Sequence, residues 1–456
     1  MDKNIRICIV GGGPAGLSAG MYLEKKGYLN YSIMERSNRV GGKCWSPNYK
    51  GRRYEMGAIM GVPSYYAVQD VEQFCGITHD GPKLMNEFKD NNGDVITPFA
   101  PDQPNFAERN EQLKKFAMLL ETKYKGYDVN GHRGVAQGRY DGFAVTPGRE
   151  KVEGENPNLK DLALPFKQFM EMNGVPLVMD YWAGPFTTFG YGYFEEIPAA
   201  YVLKYLDFQT TMNFLHFNLW TWKDGTQSIW ESLDQHLKNP ARLNCDITKV
   251  ERRDGKVYVH CNGAVEEFDK IIVTAPLFVP GSRADGMKGM VDYFDARSDE
   301  KELFSKIDYE RYDVQAVETK SEDQPKCSFY MWGNITSDRV GHMMIYYRRW
   351  ADTLDQVLTT YALRKHRNCD EIPYETVRSN VHKDLETCHS PASRVVNEWS
   401  TYYFPHVFTE DYAAGWYDKV EAMQGKYDTF YAGEVMAYGD MDETAEYSRE
   451  LVERFF

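Results

Sequence analysis

The sequence predicts an α/β fold in three parts: a parallel-sheet domain assembled from separated segments, a mixed-sheet domain and a helical cap. Three observations predict it. The first is a strand, glycine turn, helix, strand series over residues 5–35; the second is an irregular alternation of strand and helix patterns between residues 299 and 407. The third is a C-terminal strand that runs through Ala432-Gly433-Glu434 into a helix and has the company of the N-terminal series.

Ile5, Ile7, Ile9 and Val10, with Cys8 among them, form a short apolar β-rich run, which at the head of a βαβ unit reads as a strand buried on both faces. Gly11, Gly13 and Gly16 then fall on the pattern G-x-G-x-x-G. The first permits the turn, the second lets backbone approach a pyrophosphate, and the third lets helix and strand pack closely. Pro14 and Ala15 open a helix to about Lys26, which Gly27 stops; its unsatisfied N–H groups and positive end suit phosphate. Tyr31 to Met34 is a second strand, and it ends in Glu35, about 20 residues past the glycines, where a carboxylate accepts hydrogen bonds from a ribose diol. The unit is a Rossmann-type dinucleotide grip.

Farther on, Tyr66 to Cys75 reads as a helix ended by Gly76, and Asn92-Gly93 as a type I′ turn in a hairpin. Helical spacing returns over Glu108 to Tyr124. Residues 130–158, with six glycines and two prolines among polar residues, read as a long loop inside the cap. Helices are predicted from Asp161 to Asn173 and from Ala199 to Phe208. Between them lies YWAGPFTTFGYGYF, whose rings and glycines suit either a core or the wall of a ligand tunnel. A glycine turn and helix over Thr221 to Leu237 precede strands at Asp246 to Val250, Val257 to His260 and Phe268 to Ala275. Val314 to Thr319, Ser328 to Trp332 and Gly341 to Tyr347 read as strands, and Asp355 to Leu363 and Tyr374 to Thr387 as helices. The strand Thr429 to Tyr431 and a helix from about Asp442 close the chain. The domains predicted are 1–80 with 215–280 and 415–456 for the dinucleotide, 281–414 for the mixed sheet, and 81–214 for the cap.

Composition narrows the function. The net charge is −14, without a Lys/Arg cluster of the kind that holds phosphate backbones, so no nucleic-acid partner is expected. The first strand starts within five residues of Met1 and no apolar run is long enough to span a bilayer, so a cytoplasmic protein without stable membrane insertion is expected. Eight cysteines without a C-x-x-C pair predict reduced structural thiols, and none of the ten histidines falls in a metal-ligand pattern, so no metal is expected. His216, His342 and His406 are read as structural. The 32 tyrosines suit either a tyrosine-rich core or an aromatic-lined tunnel. No second G-x-G-x-x-G occurs, which disfavours a separate nicotinamide-nucleotide domain.

After Glu35 the chain continues RSNRVGGKC and YEMGAIMG, which resembles the flavoproteins that include amine oxidases and carotenoid desaturases. Longer blocks, among them VGGKCWSPNYKGRRYEMGAIMGVPSY, GPFTTFGYGYF, PAAYVLKYLDF, LWTWKDGTQ, YYFPH and FYAGE, are similar to the FAD-dependent polyunsaturated fatty acid double-bond isomerases. That resemblance implies FAD held by Gly11, Gly13, Pro14, Ala15, Gly16, Glu35, Arg36, Gly42, Lys43, Gly57, Ala58, Val250, Gly433 and Glu434, with Val250 at the adenine. It implies a free polyunsaturated fatty acid as substrate and a conjugated diene as product, by hydride transfer to flavin N5 and back, with no catalytic side chain assigned. Phe186, Phe189, Tyr191, Tyr193 and Phe208 are the candidates to line the substrate path. Where those isomerases hold the carboxylate with an arginine, this chain carries Asn86. Either Lys83 or another cation replaces it, or the carboxyl group binds differently, or the fatty acid is a different one. An FAD-dependent oxidase or desaturase is the alternative, and a non-catalytic lipid- or flavin-binding protein a third reading.

Overall fold

The computed structural model describes residues 2–124, 158–206, 208–279, 288–319, 328–367, 369–437 and 439–456, and no side chain at Phe208. Most of the loop predicted at 130–158 lies outside the described residues.

Strand Ile7–Val10 is central in a four-stranded parallel sheet, between Lys270–Val273 and Tyr31–Met34, and Thr429–Tyr431 forms the edge beyond Lys270–Val273. Three stretches of sequence far apart thus build one sheet. Ile7, Cys8, Ile9, Ile271, Ile272 and Val273 are fully buried, as a parallel sheet covered on both faces requires. Helix Pro14–Lys25 packs against the C-terminal helix Met441–Phe455, and the Tyr28 hydroxyl donates to the carbonyl of Phe456 at 2.7 Å. Helix Tyr66–Cys75 ends at Gly76, which takes the left-handed φ of +67°.

The second sheet has seven strands in the order 392–406, 308–319, 358–363, 345–347, 328–331, 86–89, 95–96. It is antiparallel except where Ser328–Met331 runs parallel to Asn86–Lys89. Here several expectations are corrected. Residues 86–96 belong to this sheet, although they fall in the segment expected to be cap. Leu358–Leu363 is a fully buried strand, not a helix: its apolar and Thr/Tyr residues face packed layers on both sides. The longest strand, Ala392–His406, was not expected at all. Between residues 90 and 94 only Gly93 has positive φ, so the turn is not type I′; Gly93 instead donates to the carbonyl of Asp90. The helix expected from Asp161 splits into Leu159–Leu162 and Phe166–Met172, with Pro165 at the break.

A buried ion pair joins Glu55, just after the short strand Arg52–Arg53, to Arg349, just after strand Ile345–Tyr347 of the mixed sheet. Arg349 Nη1 lies 3.0 Å from Glu55 Oε1, with side-chain exposures of 1% and 0%. The Glu55 carboxylate also accepts from Ser46 Oγ and from the amide of Thr226, while Arg349 donates to the carbonyls of Trp222 and Lys223.

His406, at the end of the longest strand, is buried. Its ring stacks on Phe404 and hydrogen-bonds through Nδ1 to the Phe404 carbonyl at 2.8 Å, while Nε2 has no partner among the described residues. Burial pushes the imidazole down to about 4 from its ordinary value of 6.5. A folded-state value below the unfolded one means that the native protein binds fewer protons in that window, so stability present at neutral pH is lost on acidification. The site is expected to contribute a loss of about 2 kcal/mol between about pH 7 and about pH 5. Urea unfolding followed by tryptophan fluorescence should show this component in the parent protein and not in His406→Gln; parallel pH dependences would contradict it.

Candidate active site

One cavity of about 500 Å³ runs between the parallel sheet and the mixed sheet. Gly11, Gly13, Pro14, Ala15, Glu35, Arg36, Gly42, Lys43, Gly57, Ala58, Gly433 and Glu434 all line it, as the dinucleotide reading expected. The turn is closed by backbone: Gly11 donates to Met34, Gly41 to Gly12, and Thr274 Oγ1 to the carbonyl of Val10. Gly16 lies behind the wall, where a Cβ would stand 1.9 Å from the Gly11 oxygen, so the helix can approach the turn only without a side chain there. Gly433 has φ +87°, and a Cβ on it would stand 2.6 Å from the Thr274 carbonyl oxygen. The helix N-terminus at Gly13 has no side-chain cap, which leaves its amides for a ligand. Glu35 is fixed by two backbone amides, Gly12 at 2.7 Å and Ser37 at 2.8 Å.

Val250 is corrected. It is fully buried in strand Ile247–Arg253, its amide bonded to the Tyr293 carbonyl, and Cys245, Ile247 and Tyr293 line the cavity in its place. A register shift lies between Ile247 and Lys249 in that strand, so alternation does not carry from the lining position to Val250.

Away from Glu35 the walls become aromatic. Phe189 and Tyr191 are on them as expected, but sequence reasoning missed Tyr65, Tyr205, Tyr312, Tyr361, Trp399 and Tyr403. Tyr312 stacks on Tyr361 and on Tyr403 with centroids 5.8 and 5.6 Å away, and Tyr191 lies 5.3 Å from Tyr403. Their hydroxyls are committed to backbone: Tyr312 donates to Thr188, Tyr403 to Gly439 and Tyr361 to Glu55. Burial pushes the Tyr65, Tyr205, Tyr312 and Tyr403 hydroxyls well above 10, so the rings stay neutral. Density of tyrosine in the sequence was the available signal.

Phe186 and Tyr193 are buried but off the cavity wall; Phe186 packs on Tyr191, Phe194 and Phe404 and supports the lining ring. Asn86 is off the wall too. It pairs with Ser328 in the mixed sheet, and its Oδ1 is buried without a hydrogen-bond partner among the described residues, so a role at this cavity is corrected. Lys83 is exposed. The side chain of Phe208 lies outside the described residues.

Few ionisable groups reach the aromatic end. Lys43 pairs with Glu434 at 2.5 Å, its ammonium 4.9 Å from the Tyr403 ring. Asp440 caps the C-terminal helix by accepting from the amide of Glu443 at 2.8 Å, and its second oxygen is buried without a partner among the described residues. Burial, with Glu443 beside it, pushes this carboxyl up to about 8. Among the described residues no group of three or more His, Cys, Asp or Glu is placed to hold a metal, and no helix is long and apolar enough to cross a membrane.

The chain matches the model of the family described as flavin containing amine oxidoreductase over residues 14–442. It is 46% identical to the crystal structure of a CLA-producing fatty acid isomerase from P. acnes, with all of both chains covered and a TM-score of 0.90. Putrescine oxidase, at 14% identity and TM-score 0.68 over 99% of this chain and 98% of that one, shares the fold. A polyenoic fatty acid isomerase from Ptilota filicina is 35% identical over 76 residues, 17% of this chain. A carotenoid 3,4-desaturase from Haloarcula japonica is 29% identical over 150 residues, 29% of this chain. These two matches span 15% and 28% of the relatives' own lengths. The glycine turn, the acid after the second strand and the Ala-Gly-Glu return on one cavity, together with the full-length match, show that the chain belongs to the flavin containing amine oxidoreductase family and uses FAD.

Proposed function

We propose that the protein isomerises a methylene-interrupted polyunsaturated fatty acid to a conjugated diene. The observation that carries this reading is the aromatic cavity wall, continuous with the dinucleotide cradle and made of neutral, hydroxyl-anchored tyrosines. When bound, the FAD supplies a reversible hydride acceptor. The residues supply everything else. Gly11, Gly13, Ala15 and Gly42 leave backbone free for the pyrophosphate, and Glu35 offers its carboxylate to the ribose. The anionic Glu35 at that point disfavours a 2′-phosphate. Gly57, Ala58, Gly433 and Glu434 line the far side of the same cradle.

Loss of hydride from the methylene between two double bonds leaves a pentadienyl cation. Tyr312, Tyr361, Tyr403 and Tyr191 present electron-rich faces to such a charge. The protons of Tyr312, Tyr361 and Tyr403 are engaged by backbone carbonyls, and burial keeps phenolate from forming there, so the wall stabilises the cation without trapping it as a nucleophile. Exclusion of water serves the same end. No external electron acceptor is needed, because the hydride returns to the same carbon chain.

Anaerobic incubation of the purified yellow protein with linoleate or a longer polyene is expected to raise the conjugated-diene absorbance in the absence of oxygen. Turnover that requires oxygen and releases peroxide would instead establish the oxidase or desaturase chemistry. Tyr312→Leu removes a ring face worth about 1–2 kcal/mol and should lower kcat about tenfold, whereas Tyr312→Phe should stay within about threefold. Equal losses in the two variants would show that the hydroxyl, not the ring, is what matters. Gly433→Val places a side chain against the Thr274 carbonyl at a φ of +87° and is expected to purify with a much lower ratio of flavin to protein absorbance. Full flavin content in that variant would exclude the cradle as drawn.

A further inference from the structure

Six of the seven described cysteines are buried, and burial pushes up the thiols of Cys8, Cys44, Cys75, Cys261 and Cys388, Cys44 to about 12 and Cys388 to about 11. Cys369 is exposed and has company. Its Sγ lies 2.8 Å from His366 Nε2. On the other side of the ring, His366 Nδ1 lies 3.8 Å from Glu196 Oε2, with side-chain exposures of 17% and 4%. Glu196 is held by the amide of Arg367 at 2.6 Å, and its other oxygen, Oε1, is buried without a hydrogen-bond partner among the described residues. A backbone bond from the Cys369 amide to the His366 carbonyl, 3.0 Å, sets the three-residue spacing that brings thiol and imidazole together. None of the three residues lines the FAD cavity, and nothing in the isomerisation uses them.

We propose that Cys369, His366 and Glu196 form a thiol–imidazole–carboxylate site at which Cys369 exchanges with small disulfides. A thiolate is the attacking species in such exchange, and an adjacent base supplies it. His366 Nε2 takes the proton from Sγ. The Sγ then attacks one sulfur of the disulfide: the new Sγ–S bond forms, the old S–S bond breaks, and the departing thiolate takes the proton back from Nε2 and leaves as a thiol. Cys369 is oxidised and the disulfide reduced, so no further reactant is required. Glu196 is a positioning residue. Burial raises its carboxyl above the ordinary range, so its negative charge is best tolerated with a cation alongside, which the imidazolium formed at the first step provides.

The test uses the full-length FAD-loaded protein and oxidised glutathione, with adducts located by peptide mass mapping at several pH values. Cys369 is expected to carry the mixed disulfide before any other described cysteine, and Cys369→Ser to lose that adduct. His366→Asn should slow its formation at least about tenfold near neutral pH, with a rate that climbs more steeply with pH than in the parent. His366→Gln provides a second substitution, and the flavin spectrum reports folding of both. Equal rates and pH profiles with and without the imidazole, or a native protein whose Cys369 stays unmodified while unfolded chains react, would overturn the proposal.

Discussion

The Glu55–Arg349 pair is the constraint on which the site depends. Two charges of this kind lose several kcal/mol of hydration each when buried, and their mutual attraction repays it only with further hydrogen bonds around them. Here Glu55 draws on Ser46, Thr226 and Arg349, and Arg349 on the carbonyls of Trp222 and Lys223. Those residues belong to three stretches of chain remote in sequence. Assembly is therefore close to all-or-none at this point, and its completion fixes the stretch from Glu55 to Ala58, three residues of which line the cavity. The Tyr361 hydroxyl donates to the Glu55 carbonyl, so the same hub sets one ring of the aromatic wall.

That placement matters because the cavity has two owners. The cradle of glycines comes from the parallel sheet, while Tyr312, Tyr361, Trp399 and Tyr403 come from the mixed sheet. Neither sheet contains a site alone. Lys43 with Glu434 joins two segments of the cradle domain, and Tyr403 reaches across to the Gly439 carbonyl. Hydride transfer needs reacting atoms held at van der Waals contact, so these ties between sheets are as much part of the proposed chemistry as the ring faces are.

The parts of this arrangement that were legible in the sequence are those in which a residue type has a single steric reason. Gly11, Gly13, Gly16 and Gly433 mark places where a Cβ has no room, and Glu35 is the acid at the end of the second strand. Tyr31–Met34, Tyr66–Cys75, Tyr374–Thr387 and Thr429–Tyr431 were found with their observed bounds. The mixed sheet was not. Ala392–His406 pairs with Asp308–Thr319 through register shifts near 308, 316 and 318, and each shift breaks the alternation that a period of two relies on. Leu358–Leu363 is buried on both faces, where no alternation remains to read, and a short run of that kind does not tell strand from helix. Asn86 was misplaced for another reason. Alignment with an arginine carries over a position along the chain, while the structure puts that position in a strand beside Tyr330.

The excess of tyrosine posed a choice between core and tunnel, and the structure dissolves it. A phenylalanine wall would give the same ring faces, but each ring would be free to turn and slide within its packing. A buried tyrosine must satisfy its hydroxyl, and here backbone carbonyls of Thr188, Gly439, Glu55 and Phe278 accept from Tyr312, Tyr403, Tyr361 and Tyr309. One end of each ring is thereby pinned to the fold while the residue lines the cavity. The pinned hydroxyls also point the polar atoms away from the apolar chain that the proposed substrate presents. Core and tunnel are the same residues: the hydroxyl is structure, and the ring is wall.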